Sequence, residues 1–290
     1  MPALRVNLFR AAYRCYSTPA RTIRVRTLPA PHTGVIRVLE LDRPAARNAI
    51  SRQLLAELRS EVDSLYEEGE SGETRALVIG SVAENVFCAG ADLKERKGMD
   101  EDETRAFLAN LRSTFAALAA LPIPTIAAVH GSAFGGGLEL ALAMHLRVFA
   151  ENTLVGLPET RLGIIPGAGG THRLPALIGV GRARDMILTG RRVSGSEAYF
   201  LGLCDRLVEV NEGEHGEIVR EMVMVEAEEL AREICEGGPV AVRQALRAVN
   251  GWKRGQEAED EAYEVVLRTS DRVEALKAFA EKRKPVFEGR

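Results

Sequence analysis

The sequence predicts an α/β fold, and three observations carry that expectation. Short apolar runs of strand character alternate with segments of helical periodicity up to about residue 190. Three consecutive glycines, Gly135–Gly137, stand where one such run hands over to an apolar helix. Beyond Gly190 the pattern turns almost wholly helical and rich in Ala, Glu and Arg. The elements follow in order. Ile23–Leu28 and Val35–Leu41 read as two strands parted by the turn residues Pro29, Pro31 and Gly34. Ser51–Glu68 sets Leu54, Leu55, Leu58, Val62 and Leu65 on one helical stripe. Arg75–Ser81 reads as a buried strand, and Glu101–Leu121 as a helix stopped by Pro122 and Pro124. Thr125–Val129 and Leu146–Ala150 are further strands, with a short apolar helix at Gly136–Met144 between them. Ser194 and Glu197 form an S-x-x-E signature for a helix ending near Gly202. From Glu217 to Phe287 the reading is helix, broken at Gly237–Pro239 and around Gly251.

The 290 residues include 38 basic and 41 acidic side chains, a net charge of −3. That balance hides an asymmetry: seven arginines and no acid precede Glu40, leaving 31 basic against 41 acidic residues beyond Leu39. Met1–Ser17 is Arg-bearing, acid-free and amphipathic, the composition of a mitochondrial transit segment; a basic tail without structure is the plainer alternative. The expected division is a transit segment over 1–21, an α/β core over 22–190 and a helical region over 191–290. An acidic body disfavours a sequence-independent grip on a phosphate backbone. Cys15, Cys88, Cys204 and Cys235 are far apart and form no C-x-x-C pair, which argues against a zinc–cysteine site or a disulfide scaffold. No apolar run is long enough to cross a bilayer as a helix.

Three segments combine glycine with chemistry-bearing residues. In Phe87–Lys94 (FCAGADLK), the small residues at 89–91 let a ligand approach the main chain, though an ordinary turn would look the same. In Val129–Leu140 (VHGSAFGGGLEL), the unpaired N–H groups of the helix start suit an oxyanion. Neither phosphate-loop pattern is present. Glu139 interrupts an otherwise apolar helix, and a core carboxylate is costly unless it has partners, reaches solvent or has work to do. In Leu157–Arg173, Glu159 follows Glu139 after one intervening strand, so a single strand return brings both carboxylates to one pocket. Paired acids there would move protons to and from water. His130, His145 and His172 sit in apolar or turn contexts and read as packed or capping residues.

FCAGADLKE, HGSAFGGGLELALA and LPETRLGIIPGAGGTHRLP, in this order, resemble the enoyl-CoA hydratase (crotonase) superfamily from about Thr22 onwards. FCAGADLKER, GGGLELALA and DRVEALKAFAEKRKP are most similar to its methylglutaconyl-CoA hydratase branch. The resemblance implies a crotonase-like spiral of β-β-α turns with a C-terminal helical trimerisation region, assembling as a homotrimer or homohexamer. It implies hydration of an acyl-CoA thioester in the mitochondrial matrix, with 3-methylglutaconyl-CoA of leucine breakdown as substrate, or a short-chain enoyl-CoA of fatty-acid β-oxidation. Coenzyme A is then part of the substrate, and no separate cofactor or metal is expected. The amides of Ala91 and Gly136 become an oxyanion hole, and Glu139 and Glu159 the acid/base pair, their roles unassigned. Ala89, Ala91, Asp92, Leu93 and Lys94 would hold coenzyme A, together with Phe279 and Lys282 of the tail. Gly136, Gly167 and Arg161 would meet the substrate. For Arg161 the reasoning is that an extended segment turns residues two apart to one face, towards a distal carboxylate; a plain ion pair is the alternative. One family member of this subtype binds AU-rich RNA through lysines spaced four apart on an early helix. The matching positions here are Arg52, Ala56 and Ser60, with Glu57 and Glu61 opposing, so RNA binding is not expected.

Overall fold

The computed structural model describes residues 21–69 and 71–290. The expected transit segment, save Arg21, lies outside the described residues. In chain order the strands are β1 (Ile23–Pro29), β2 (Val35–Leu41), β3 (Thr74–Ser81), β4 (Val86–Cys88), β5 (Thr125–Val129), β6 (Ser132–Phe134), β7 (Leu146–Ala150), β8 (Leu154–Gly156), β9 (Arg192–Ser194) and β10 (Arg206–Val208). The helices are α1 (Arg52–Glu68), α2 (Leu93–Lys97), α3 (Glu101–Ala119), α4 (Gly136–Leu142), α5 (Gly170–Ile178), α6 (Val180–Thr189), α7 (Gly195–Leu201), α8 (Glu217–Cys235), α9 (Pro239–Asn250), α10 (Gln256–Val266) and α11 (Ser270–Glu281).

Two sheets result. The larger has the order β1-β2-β3-β5-β7-β10, parallel from β2 onwards; the smaller has the order β4-β6-β8-β9, parallel across its first three strands. Each turn of chain lays one strand in the large sheet and the next in the small one before a helix follows: β3 with β4, β5 with β6, β7 with β8. This is the β-β-α spiral of the crotonase fold.

Period-two alternation explains how the large sheet can be buried on both faces. Leu39, Leu41, Leu77, Ile79, Val129 and Phe149 face the main core with α1, α3 and α4. Their neighbours Ile36, Val38, Val78, Ile126 and Val148 face a second core closed by Val219, Val223, Met224, Ala227 and Leu230 of α8. The contact is close, since a Cβ on Gly80 would stand 2.2 Å from the Met224 sulfur. Residues beyond 190 are thus tied into the sheets: β9 pairs with β8, β10 with β7, and α8 covers the outer face.

The helical reading of 217–287 needs two corrections. Thr269 stops the run and caps α11 by accepting from Arg272 N, a break the Ala/Glu/Arg pattern conceals. The helix ends at Glu281, because Lys282 turns left-handed (φ 53°). The last residues fold back, with Glu288 and Gly289 N–H each 2.8 Å from the Asp271 carboxylate.

Candidate active site

The three parallel strands of the small sheet place the site. β4, β6 and β8 run in one direction, so the segments leaving their carboxyl ends, Ala89–Ala91, Gly135–Gly136 and Leu157–Glu159, emerge side by side. Main-chain contact holds them. Ile50 N–H donates to Gly90 O at 2.8 Å and Asp92 N–H to Ile50 O at 3.1 Å. In this parallel bridge Ile50 uses the groups flanking Ala91, so Ala91 N–H is turned away from Ile50. It faces the start of α4: a Cβ on Gly136 would stand 3.5 Å from Ala91 N. Gly136 opens α4, where a first-turn N–H has no partner within the helix. The two donors therefore lie together on one cavity of about 440 Å³, which both residues line.

α4 is buried along its whole length and carries Glu139 into the cavity wall, 2% exposed. Its Oε1 accepts from Ala168 N at 2.7 Å and Gly170 N at 2.8 Å. Burial raises its pKa, against the opposing pull of these two amides and of Arg173 and Arg112. The carboxylate is thus almost wholly buried and makes no close ion pair among the described residues; main-chain N–H groups hold it.

Glu159 begins a 3-10 turn, Glu159–Leu162, directly after Pro158. It is 8% exposed, its Oε2 has no hydrogen-bond partner among the described residues, and a Cβ on Gly135 would lie 3.0 Å from its Oε1. Burial, joined by the charge of Glu139 and opposed by a bond to its own backbone, pushes its pKa up to about 7. One wall thus presents two carboxyls of unlike surroundings beside two N–H donors, with Leu108, Leu111, Ile164 and Ile165 among the apolar lining.

Of the expected coenzyme A and substrate contacts, Ala89, Ala91, Leu93, Gly136 and Gly167 line this cavity. Asp92 instead caps α2, accepting from Lys94 N at 3.1 Å, and pairs with Arg43 at 3.3 Å. Lys94 is exposed on α2, and Phe279 (86% exposed) and Lys282 lie at the end of α11; none of the three is in the cavity lining. Arg161 requires a correction. Its segment is a 3-10 turn of about three residues per turn, not an extended strand, so it does not share a face with Glu159. Its Nε donates to Thr189 O at 2.9 Å beside Gly190, away from the cavity lining.

The basic residues in the lining are Arg96 and Arg112, neither singled out by motif reading. A signal existed for Arg112: Thr104, Leu108, Leu111 and Arg112 share one helical stripe of α3. Ala168 and Gly170 act through main-chain N–H and leave no side-chain signature. His130 is buried with Nε2 2.7 Å from Ala83 O, and His145 Nδ1 accepts from Thr125 N, so both are packed residues.

A family profile described as Enoyl-CoA hydratase/isomerase matches residues 32–290. A protein named methylglutaconyl-CoA hydratase 1, mitochondrial, of Pyricularia oryzae is 58% identical over 92% of this chain and 87% of its own length. An enoyl-CoA isomerase/hydratase of Zymoseptoria tritici is 60% identical over 93% of this chain and 89% of its own. The crystal structure of an enoyl-CoA hydratase from Bacillus anthracis superposes with a TM-score of 0.84 at 42% identity, covering 93% of this chain and all of that one. The spiral of strands and the match along nearly its whole length agree: the chain belongs to the enoyl-CoA hydratase/isomerase family, as a crotonase-fold hydratase acting on an acyl-CoA thioester.

Proposed function

We propose that the chain adds water to 3-methylglutaconyl-CoA, giving 3-hydroxy-3-methylglutaryl-CoA. The observation that carries the chemistry is the pair of carboxyls in unlike surroundings on one cavity. Burial raises the pKa of Glu139, but two N–H bonds and the charges of Arg173 and Arg112 oppose that shift and favour the ionised form, which suits it to be the base that takes a proton from water. Glu159 has no such donor on Oε2 and stays protonated to about pH 7, so it delivers the proton to the α carbon. The water oxygen bonds to the β carbon, and the thioester carbonyl gathers negative charge as an enolate. Ala91 and Gly136 N–H meet that charge, each donor being worth about 3 kcal/mol of barrier. Ala89 and Leu93, at the cavity, belong to the coenzyme A side of this reading; Asp92 and Lys94 support it as the cap and first turn of α2.

The Pyricularia oryzae relative's name supports the branched substrate. Names that include "mitochondrial", on that protein and on relatives from Arabidopsis thaliana and Homo sapiens, support a matrix location together with the basic leader. Exposed apolar residues near the C-terminus, Trp252 in the turn before α10 and Tyr263, Val273, Leu276 and Phe279 on α10 and α11, support assembly into a trimer or a pair of trimers. Phe279 and Lys282 are kept as coenzyme A contacts in this reading through the resemblance of the tail. Loss of enone absorbance, followed with crotonyl-, tiglyl- and 3-methylglutaconyl-CoA, tests the reading. The highest kcat/KM is expected on 3-methylglutaconyl-CoA. A preference for crotonyl-CoA would replace it with a short-chain enoyl-CoA hydratase.

A further inference from the structure

Most arginines of the described chain are matched to a carboxylate, Arg24, Arg37, Arg59, Arg206 and Arg283 among them. The two that line the reaction cavity make no close ion pair among the described residues, although the charge of Arg112 acts on Glu139. Arg96 is half-buried on α2, three residues beyond Leu93, so both project from one face into the cavity lining. Among the described residues its guanidinium has neither an ion pair nor a hydrogen bond. The acids around it are committed elsewhere. Asp92 caps α2 and pairs with Arg43, Glu95 accepts from Arg52 N at 2.9 Å, and Glu103 pairs with the Arg52 guanidinium at 3.0 Å and closes the cap of α3. Arg112 stands on α3 with its Nε fixed 2.6 Å from Gly167 O, which leaves both Nη groups without a partner among the described residues.

Resting on the hydratase reading above, we infer that Arg96 and Arg112 form an anion site within the acyl cavity, which selects substrates carrying a second carboxylate on the acyl chain. The wall between them is apolar, with Leu108, Leu111 and Ile165, and a carboxylate entering such a wall is costly unless cations already wait for it. Two guanidinium groups supply charge-assisted hydrogen bonds there, while an unsubstituted alkyl chain has nothing to offer them. The Gly167 carbonyl that fixes Arg112 shares its peptide unit with the Ala168 N–H that holds Glu139. The anion site is therefore anchored to the same peptide as the proposed base, which sets the distal carboxylate in register with the reacting carbons.

Glutaconyl-CoA and crotonyl-CoA differ only by the terminal carboxylate, so the ratio of their kcat/KM values reads this site. The expected result is a wild-type ratio above one, a fall of at least about tenfold in Arg96→Met, and a smaller fall in Arg96→Lys, which keeps the charge. Circular dichroism checks the fold of each variant. An unchanged ratio, with both substrates falling together or neither falling, overturns the inference. So does a matching rise in the inhibition constant of free coenzyme A, which would assign Arg96 to the phosphates of the coenzyme. Wild-type protein that hydrates crotonyl-CoA but not glutaconyl-CoA overturns the anion site and leaves the hydratase standing. Protein inactive on both, and on 3-methylglutaconyl-CoA, overturns the hydratase reading itself.

Discussion

Replacing Glu159 by Gln should stabilise the protein, and should do so only where the glutamate would be ionised. The structure holds this acid at about 7 against its ordinary 4.5, first through burial and then through the charge of Glu139. At about 1.4 kcal/mol for each tenfold change in proton affinity, that difference amounts to about 3 kcal/mol. The sign follows from the raised value. Below pH 4.5 the acid is protonated in folded and unfolded chains alike, and the glutamate carries no penalty. Between 4.5 and 7 the unfolded chain releases the proton while the folded one keeps it, so wild-type stability falls with rising pH. Above about pH 7 the whole penalty is present. A glutamine at this position has no proton to release, so the advantage of Glu159→Gln should grow by about 2.5 kcal/mol between about pH 5 and about pH 8.5. Urea unfolding of both proteins at the two pH values, at one protein concentration, measures it. A stability difference that stays constant with pH, or shrinks, would refute the claim that Glu159 is buried without a partner.

Glu139→Gln should lower hydration at least about a hundredfold while coenzyme A thioester binding persists by calorimetry; near wild-type turnover would remove Glu139 from the chemistry. Gly137→Ala sets a Cβ 2.1 Å from Cys88 O, so unfolding should come earlier by about 1–3 kcal/mol, read as a lower Tm. Arg161→Met should lose about 1 kcal/mol with the bond to Thr189 O and change glutaconyl- and crotonyl-CoA turnover alike; a selective loss would return Arg161 to the substrate. N-terminal sequencing of protein from its native source should find a start near Tyr16–Ser17, and an intact Met1 would end the targeting proposal.

What could be read from sequence was whatever repeats with a period. β2, β5 and β7 begin and end where the apolar runs do, and all five leucines and valines of the α1 stripe are buried. The small sheet escaped because its strands are three residues long, too short for alternation to register. α2, α5 and α6 escaped for a related reason: their starts at Asp92, Gly169 and Gly179 read as loop or turn residues. Glu139 was legible because a carboxylate in LELALA is anomalous wherever the chain goes. Its partners were not, since an N–H from Ala168 looks in sequence like any other alanine. Arg161 misled because spacing was turned into direction by assuming an extended backbone, and Pro158 starts a tight turn instead.

The glycines of the site serve proximity rather than looseness. A Cβ on Gly90, whose φ is +97°, would lie 2.7 Å from Phe134 O, and one on Gly137 would strike Cys88 O. Removing those side chains is what lets the end of β4 lie against the start of α4, so that Ala91 and Gly136 N–H become neighbours. Donors built into the main chain at such a junction are fixed before substrate arrives and need no reorganisation when charge develops. The carboxyls follow the opposite logic. Glu139 is steadied by the amides of Ala168 and Gly170 where the chain enters α5, but Glu159 is left with an oxygen unpaired among the described residues in a buried place, where it lowers stability above about pH 7. An acid with that oxygen satisfied would be safer for the fold, but would be ionised at neutral pH and have no proton to give. The instability at Glu159 and its proposed role as a proton donor therefore have one physical origin, and a substitution that relieves the first should abolish the second.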